Sequence, residues 1–355
     1  MRVIVSAGGT GGHIYPAIAL INKIKELEPN SEILYIGTHN RMEKDIIPKF
    51  DINYFPLEVS GLKRKFTFDN IKSIIQFFKS ISIAKSIIED FDPDVVVGFG
   101  GYVTAPVITA AKRLGIPTFI HEQNSVSGLT NKLLSKLATS IGVSLKINLR
   151  DYGKNAFLSG NPCSEEAYHK KPTQDVIFKN KLPLVIMVNG SLGSASVDRV
   201  MRQVLPLLKD KPYNFLYVSG KNNYDSFKDL KIPKNVLIKP YLDDAVGYLK
   251  KANLFISRAG ATTISEVAVI GVPTIFIPSP YVVNNHQYLN AKTLVDQEAS
   301  LMLEEKNLTP TKLIFMIDDV LSNGALLTKL SRNIKKNGIK DSATKIYQKL
   351  QEIKK

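Results

Sequence analysis

At 355 residues the chain is too long for one ordinary hydrophobic core and suits two domains. Apolar residues make up 44% and charged residues 22%, which excludes extended disorder; the single cysteine, Cys163, excludes an intramolecular disulfide framework; and no stretch reaches the ~18 apolar residues a spanning helix needs. The net charge of +15 calls for a polyanionic partner, whether nucleic acid, acidic lipid headgroups or phosphorylated substrates, or else for an evenly solvated lysine surface.

The chain opens on "MRVIVSAGG", an apolar run too short for a signal peptide, so it reads as a first strand and the protein as cytoplasmic. "SAGGTGGHIYP" follows, a glycine-rich turn that leads into a helix. It is not the dinucleotide G-x-G-x-x-G pattern, because Ile14 stands where the third glycine belongs and "EILYIGTHN" lacks an acid for a ribose. It is not a P-loop either, since no G-K-[ST] follows. What remains is an amide-rich turn at a helix N-terminus, able to host an anion or to admit a bulky substrate. Residues 61–88 hold six Lys or Arg (Lys63, Arg64, Lys65, Lys72 and Lys79 among them) against one Asp, interleaved with eleven Phe and Ile. Such a basic, apolar stretch suits anionic lipid, and no nucleic-acid motif accompanies the charge.

Short β-branched runs alternate with amphipathic stretches, which implies parallel sheets covered on both faces. In "FDPDVVVGFG" Asp92 and Asp94 precede their strand, at the edge of the sheet opposite the ligand-binding end, so they read as turn residues and not as a metal pair. "FIHEQNS" brings His121, Glu122 and Asn124 to a strand end. "SGNPCSEEAYHKKPTQ" (159–174) reads as a linker, after which the pattern restarts with "LPLVIMVNGSLGSASVDRV", bringing Gly190, Ser191 and Gly193 to a second helix start. Asp243 and Asp244 look like helix caps. "SRAGATTISE" brings Arg258, Thr262, Thr263, Ser265 and Glu266 to a third helix start, where amides and hydroxyls suit phosphates and Glu266 suits a ribose. "GFGGYVTAPVITAAKRLGIPTFI" and "SRAGATTISEVAVIGVPTIFI" repeat one strand–turn–helix–strand plan. The expected domains are 1–159 and 160–340, with the helix 341–355 crossing back onto the first. In open parallel sheets ligands bind beyond the carboxyl ends of the strands, so an interdomain cleft is the expected site. No Cys/His cluster exists, and no metal is expected.

"AGGTGGHIYPAIAL", "GFGGYVTAPVITAAKRLGIPTFIHEQNSVSGLTNKLLSKLA" and "SRAGATTISEVAVIGVPTIFIPSPYVVNNHQYLNA" resemble, in order and over nearly the whole chain, the MurG family. The resemblance implies the GT-B fold, two Rossmann-like α/β domains. It implies transfer of GlcNAc from UDP-GlcNAc to undecaprenyl-diphospho-MurNAc-pentapeptide (lipid I), giving lipid II, by a peripheral protein at the cytoplasmic face of the membrane and without cofactor. Carried over by position, Thr10, Gly11, Gly12 and Asn124 contact the donor from the first domain. Ser191 meets the diphosphate, Leu242 the uracil side through its backbone, and Gln287 a GlcNAc hydroxyl. The nucleoside helix start is Ala261, Thr262, Thr263, Ile264, Ser265 and Glu266, with Glu266 on the ribose. Gly100, Gly101 and Tyr102 fall on the acceptor side. Inverting displacement needs a base for the acceptor hydroxyl: His13 suits it, and Glu122 is either the alternative base or the group that orients His13. Some family members carry an arginine for the diphosphate where this chain has Ser164; that role is either absent here or filled by another residue, with Arg258 a candidate. A UDP-sugar 2-epimerase and a non-catalytic nucleotide-sugar sensor are the rival readings.

Overall fold

The computed structural model describes residues 1–59, 68–190 and 193–355, with the backbone alone for 68–72. Lys63, Arg64, Lys65 and Ser191 therefore lie outside the described residues, as does the side chain of Lys72. Two compact units are present, Met1–Glu166 with Ile339–Lys355, and Ala167–Gly338.

The first unit holds β1 (Arg2–Ala7), β2 (Glu32–Thr38), β3 (Asn53–Leu57), β4 (Val95–Gly100), β5 (Thr118–Glu122), β6 (Ser140–Val143) and β7 (Ala156–Leu158). The second holds β8 (Leu184–Val188), β9 (Asn214–Val218), β10 (Val236–Lys239), β11 (Leu254–Ser257), β12 (Thr274–Phe276) and β13 (Leu301–Met302). The sheet orders are β3-β2-β1-β4-β5-β6-β7 and β10-β9-β8-β11-β12-β13, and the described pairings are parallel. Strand order reverses between β1 and β4 in one sheet and between β8 and β11 in the other. These are the switch points where open α/β sheets leave a crevice.

The strands read as continuous apolar runs because both faces are covered. Val3, Val5 and Ala7 of β1 pack with Ile14, Leu20 and Ile24 of the helix Gly11–Leu27. Ile4, on the opposite face, packs with Val107 and Ile108 of the helix Thr104–Arg113. The second sheet repeats this: Val185 and Met187 face the helix Ala195–Leu207, and Ile186 faces the helix Ala261–Ile270.

The last helix, Ser342–Ile353, buries Ile346 and Leu350 against the first of these clusters. Fully burying two such side chains stabilises the unit by roughly 1.5–3 kcal/mol each. The boundary falls at Glu166, within the 159–174 segment. Ser164 Oγ is buried among Asn161 O at 2.8 Å, Ile339 O at 2.6 Å and Ser342 Oγ at 2.8 Å. Glu165 accepts from Thr344 N at 2.8 Å and Thr344 Oγ1 at 2.6 Å. Ser164 is thus a clamp for the returning chain.

Candidate functional sites

In the first unit the ends of β1 and β4 converge on one loop. β1 and β4 change register between Ser6 and Ala7, a bulge beside the switch point. Gly8 N donates to Gly100 O at 3.2 Å, and Thr104 Oγ1 donates to both Gly100 O (2.9 Å) and Ser6 O (3.2 Å). The approach is so close that a Cβ on Gly101, at φ +89°, would lie 2.4 Å from Gly8 O. Gly100, at φ +105°, supports the His13 ring, which a Cβ there would meet at 3.1 Å.

His13 is the third residue of the helix Gly11–Leu27, whose N-cap is Thr10, and Thr10 and Gly12 are exposed. Its Nδ1 lies 3.0 Å from Gly8 O and 3.4 Å from Thr10 Oγ1. A carbonyl can only accept, so Nδ1 carries the proton and Nε2 keeps its lone pair in the neutral ring. Tyr102, beside it in sequence to the Gly100–Gly101 turn, is exposed.

His121 and Glu122 belong to β5 itself. His121 is buried against Phe99, donates Nε2–H to Gly160 O at 2.9 Å, and burial pushes its pKa down to about 4. It stays neutral and structural. Glu122 is 2% exposed. Its Oε1 accepts from Asn124 N (3.0 Å), and its Oε2 from Gly128 N (2.8 Å), Asn131 Nδ2 (3.0 Å) and Tyr152 OH (3.2 Å). Three donors thus converge on Oε2 and one reaches Oε1. In this geometry Glu122 ties down the segment that carries Asn124, and the His13 ring is held by Gly8 O.

In the second unit the turn after β8 and the start of the helix Ala195–Leu207 border a cleft of about 560 Å³ lined by Asn189, Gly190, Ser194, Arg258, Ser279 and Gln287, a volume in the usual range for small-ligand sites. Arg258 Nη1 pairs with Glu305 Oε2 at 2.6 Å, and its Nη2 donates to Ser194 Oγ at 2.8 Å. Ser196 Oγ donates to the other Glu305 oxygen at 2.5 Å. The guanidinium is therefore already paired, and it holds the hydroxyls of the helix start in place. Gln287 Oε1 accepts from Ser279 N at 2.9 Å at the opposite rim.

The helix Ala261–Ile270 starts after Gly260. Ala261, Thr262, Thr263, Ser265 and Glu266 are half-buried, while Ile264 turns into the core. Thr262 Oγ1 is buried with no hydrogen-bond partner among the described residues. Glu266 is in the second turn, beyond the first-turn reach of the helix dipole that would make it a mere N-terminal charge. Leu242 also turns its side chain into the core.

Asp94 Oδ2 accepts from Arg2 N at 2.7 Å and Asp92 pairs with Lys355 at 2.6 Å, both at the amino end of the first sheet. Asp244 caps its helix by accepting from Gly247 N at 3.0 Å. No helix among the described residues is long and apolar enough to cross a membrane. The helix Phe68–Phe91 nevertheless leaves Ile74, Ile75 and Phe78 45%, 54% and 57% exposed, with Lys79 exposed beside them. Glu305 and the buried Glu43 are the residues that sequence reasoning passes over.

Residues 3–143 match the model of the glycosyltransferase family 28 N-terminal domain, and residues 184–346 that of its C-terminal domain. A UDP-N-acetylglucosamine–N-acetylmuramyl-(pentapeptide) pyrophosphoryl-undecaprenol N-acetylglucosamine transferase of Bacillus pumilus is 41% identical over 99% of both chains. The crystal structure of Acinetobacter baumannii MurG superposes with a TM-score of 0.80 at 27% identity, covering 99% of each chain. A UDP-GlcNAc 2-epimerase from Neisseria meningitidis shares the fold, with a TM-score of 0.68 at 14% identity over 99% of this chain and 100% of that one. Matched along both domains and over its full length, the chain belongs to glycosyltransferase family 28 and, within it, to the MurG family.

Proposed function

We propose that this UDP-GlcNAc-dependent glycosyltransferase transfers N-acetylglucosamine to the C4 hydroxyl of the N-acetylmuramyl group of lipid I, forming lipid II with inversion at the sugar and without a metal ion. The observation that carries the chemistry is His13, whose Nδ1 is committed to Gly8 O and whose Nε2 is left as an acceptor. In the proposed step Nε2 takes the hydroxyl proton, the oxygen bonds to the anomeric carbon, and the bond to UDP breaks with its electron pair leaving on the β-phosphate.

Charge on the departing diphosphate is met by the amides at the starts of the helices Ala195–Leu207 and Ala261–Ile270, the task a cation performs elsewhere. Glu266 takes the ribose and Gln287 a sugar hydroxyl. Thr10, Gly11, Gly12 and Asn124 attend the donor sugar, and Gly100, Gly101 and Tyr102 the acceptor. The exposed apolar residues of the helix Phe68–Phe91, with Lys79, suit a peripheral stay at the cytoplasmic face, where the lipid-linked acceptor and anionic headgroups lie.

The test is UDP release from UDP-GlcNAc with a lipid I analogue. Transfer predicts acceptor-dependent UDP and a disaccharide product. Formation of ManNAc products would favour an epimerase, and UDP-GlcNAc binding with no UDP release would favour a sensor.

A further inference from the structure

Glu43 has no role in the chemistry described above, yet its carboxylate is completely buried directly beneath the glycine-rich loop. Its Oε1 accepts from Thr38 N at 3.1 Å and Thr38 Oγ1 at 2.6 Å. Its Oε2 accepts from Gly9 N at 3.1 Å. The Gly9 N–H and the Gly8 C=O are two ends of one planar peptide unit. The oxygen of that same unit accepts Nδ1–H of His13 at 3.0 Å. Carboxylate, peptide and imidazole therefore form one unbroken chain of two hydrogen bonds that ends at Nε2.

The chain is walled in. A Cβ on Gly8 would fall 2.6 Å from Glu43 Oε1, and one on Gly100 would fall 3.1 Å from the His13 ring. Among the described residues no cation pairs with Glu43. Its charge acts instead on its neighbours: the Tyr35 and Tyr54 phenols are pushed up, first by burial and then by this carboxylate. An amide whose N–H is held by an anion is polarised, which makes its oxygen a stronger acceptor.

Resting on the reading of His13 as the base, we propose that Glu43 is a positioning residue for it. Through the Gly8–Gly9 peptide, Glu43 holds His13 in the Nδ1–H tautomer and offsets the positive charge that the ring acquires with the acceptor's proton. This is the part that a carboxylate in direct contact plays in a Ser-His-Asp triad, here performed through one intervening peptide.

The experiment compares wild type, E43Q, E43D, H13A and H13A/E43Q, using turnover of a lipid I analogue, the KM for UDP-GlcNAc, melting temperature, and nitrogen-15 NMR of the labelled histidine ring. In E43Q and E43D kcat should fall about ten- to a hundredfold, less than the ~10⁴ lost with the directly bonded acid of a Ser-His-Asp triad, because a peptide intervenes here. The KM for UDP-GlcNAc should stay within about twofold, and E43Q should add less than about twofold to H13A, because both act through one group. The wild-type spectrum should show the Nδ1–H ring, and the variants a shift toward Nε2–H. An Nε2–H ring in the wild type overturns the proposal even where no variant folds. So do losses that multiply in H13A/E43Q, or wild-type kcat in E43Q. A fall in kcat matched by KM and melting temperature, with an unchanged tautomer, overturns it as well. Wild-type kcat in H13A would remove His13 as base, and the spectra would then decide separately whether Glu43 sets the ring.

Discussion

Replacing Glu122 with alanine separates a base from a scaffold. Alanine removes the acceptor for Asn124 N, Gly128 N, Asn131 Nδ2 and Tyr152 OH at a position that is 2% exposed. Each orphaned donor costs about 1–3 kcal/mol if it stays buried. Entering water and loop relaxation recover part of this, so the net loss should resemble that of other broken buried charge networks, roughly 3–5 kcal/mol. At about 2–4 °C per kcal/mol for a unit of this size, the first unit's melting transition should fall by roughly 6–20 °C. E122Q should lose less, since its amide oxygen still serves the Oε2 donors while its NH2 opposes only Asn124 N. H13A removes no comparable network; it should melt like the wild type and lose about 10²–10⁴ in kcat. Calorimetry of the full chain beside steady-state turnover reads both quantities. E122A with a wild-type melting temperature and a catalytic loss as large as that of H13A would refute the scaffold argument and restore Glu122 as the base.

The parts of the molecule legible in the sequence are those where local chemistry and final structure coincide. β1 and β8 are visible because a strand covered on both faces must be apolar throughout, and their following turns because only glycine tolerates the backbone there. The start of the helix Ala261–Ile270 after Gly260 is equally plain. Glu122 is legible as an acid at the ligand end of a strand, but its partners are not. Two of the groups that bond it, Asn131 and Tyr152, are nine and thirty residues away and are brought in only by the fold. Glu43 escapes for a related reason. An acid for a ribose is sought at the end of the second strand, whereas this one lies five residues past Thr38 and turns back under the loop to hold backbone N–H groups, which no side-chain pattern records. Arg258 is legible as a candidate, but its pairing with Glu305 depends on a contact across 47 residues.

Glu266→Ala should raise the donor KM well over tenfold, since hydrogen bonds to a charged acceptor contribute about 1.5–3 kcal/mol each, while EDTA should leave wild-type turnover unchanged; retained donor affinity would remove Glu266 from the ribose. His121, held near pKa 4 by burial, binds a proton more readily unfolded than folded, so the stability it lends is present above about pH 6.5 and is lost as pH falls toward 4. Melting curves across that window should show the loss in the wild type and a flatter profile in H121N. The membrane reading turns on the joint exposure of Ile74, Ile75 and Phe78 beside a lysine-rich segment. Each basic residue at an anionic surface contributes up to about 1 kcal/mol, so replacing Lys63, Arg64 and Lys65 with glutamine should weaken binding to anionic vesicles by a few kcal/mol. The effect should vanish near 1 M salt, where the Debye length falls to ~3 Å, and a water-soluble acceptor should turn over as before. A second variant, Ile75→Ser with Phe78→Ser, should weaken binding to neutral vesicles too, because apolar insertion does not depend on headgroup charge. If both variants sediment with vesicles as the wild type does, this helix is not the surface that meets the lipid.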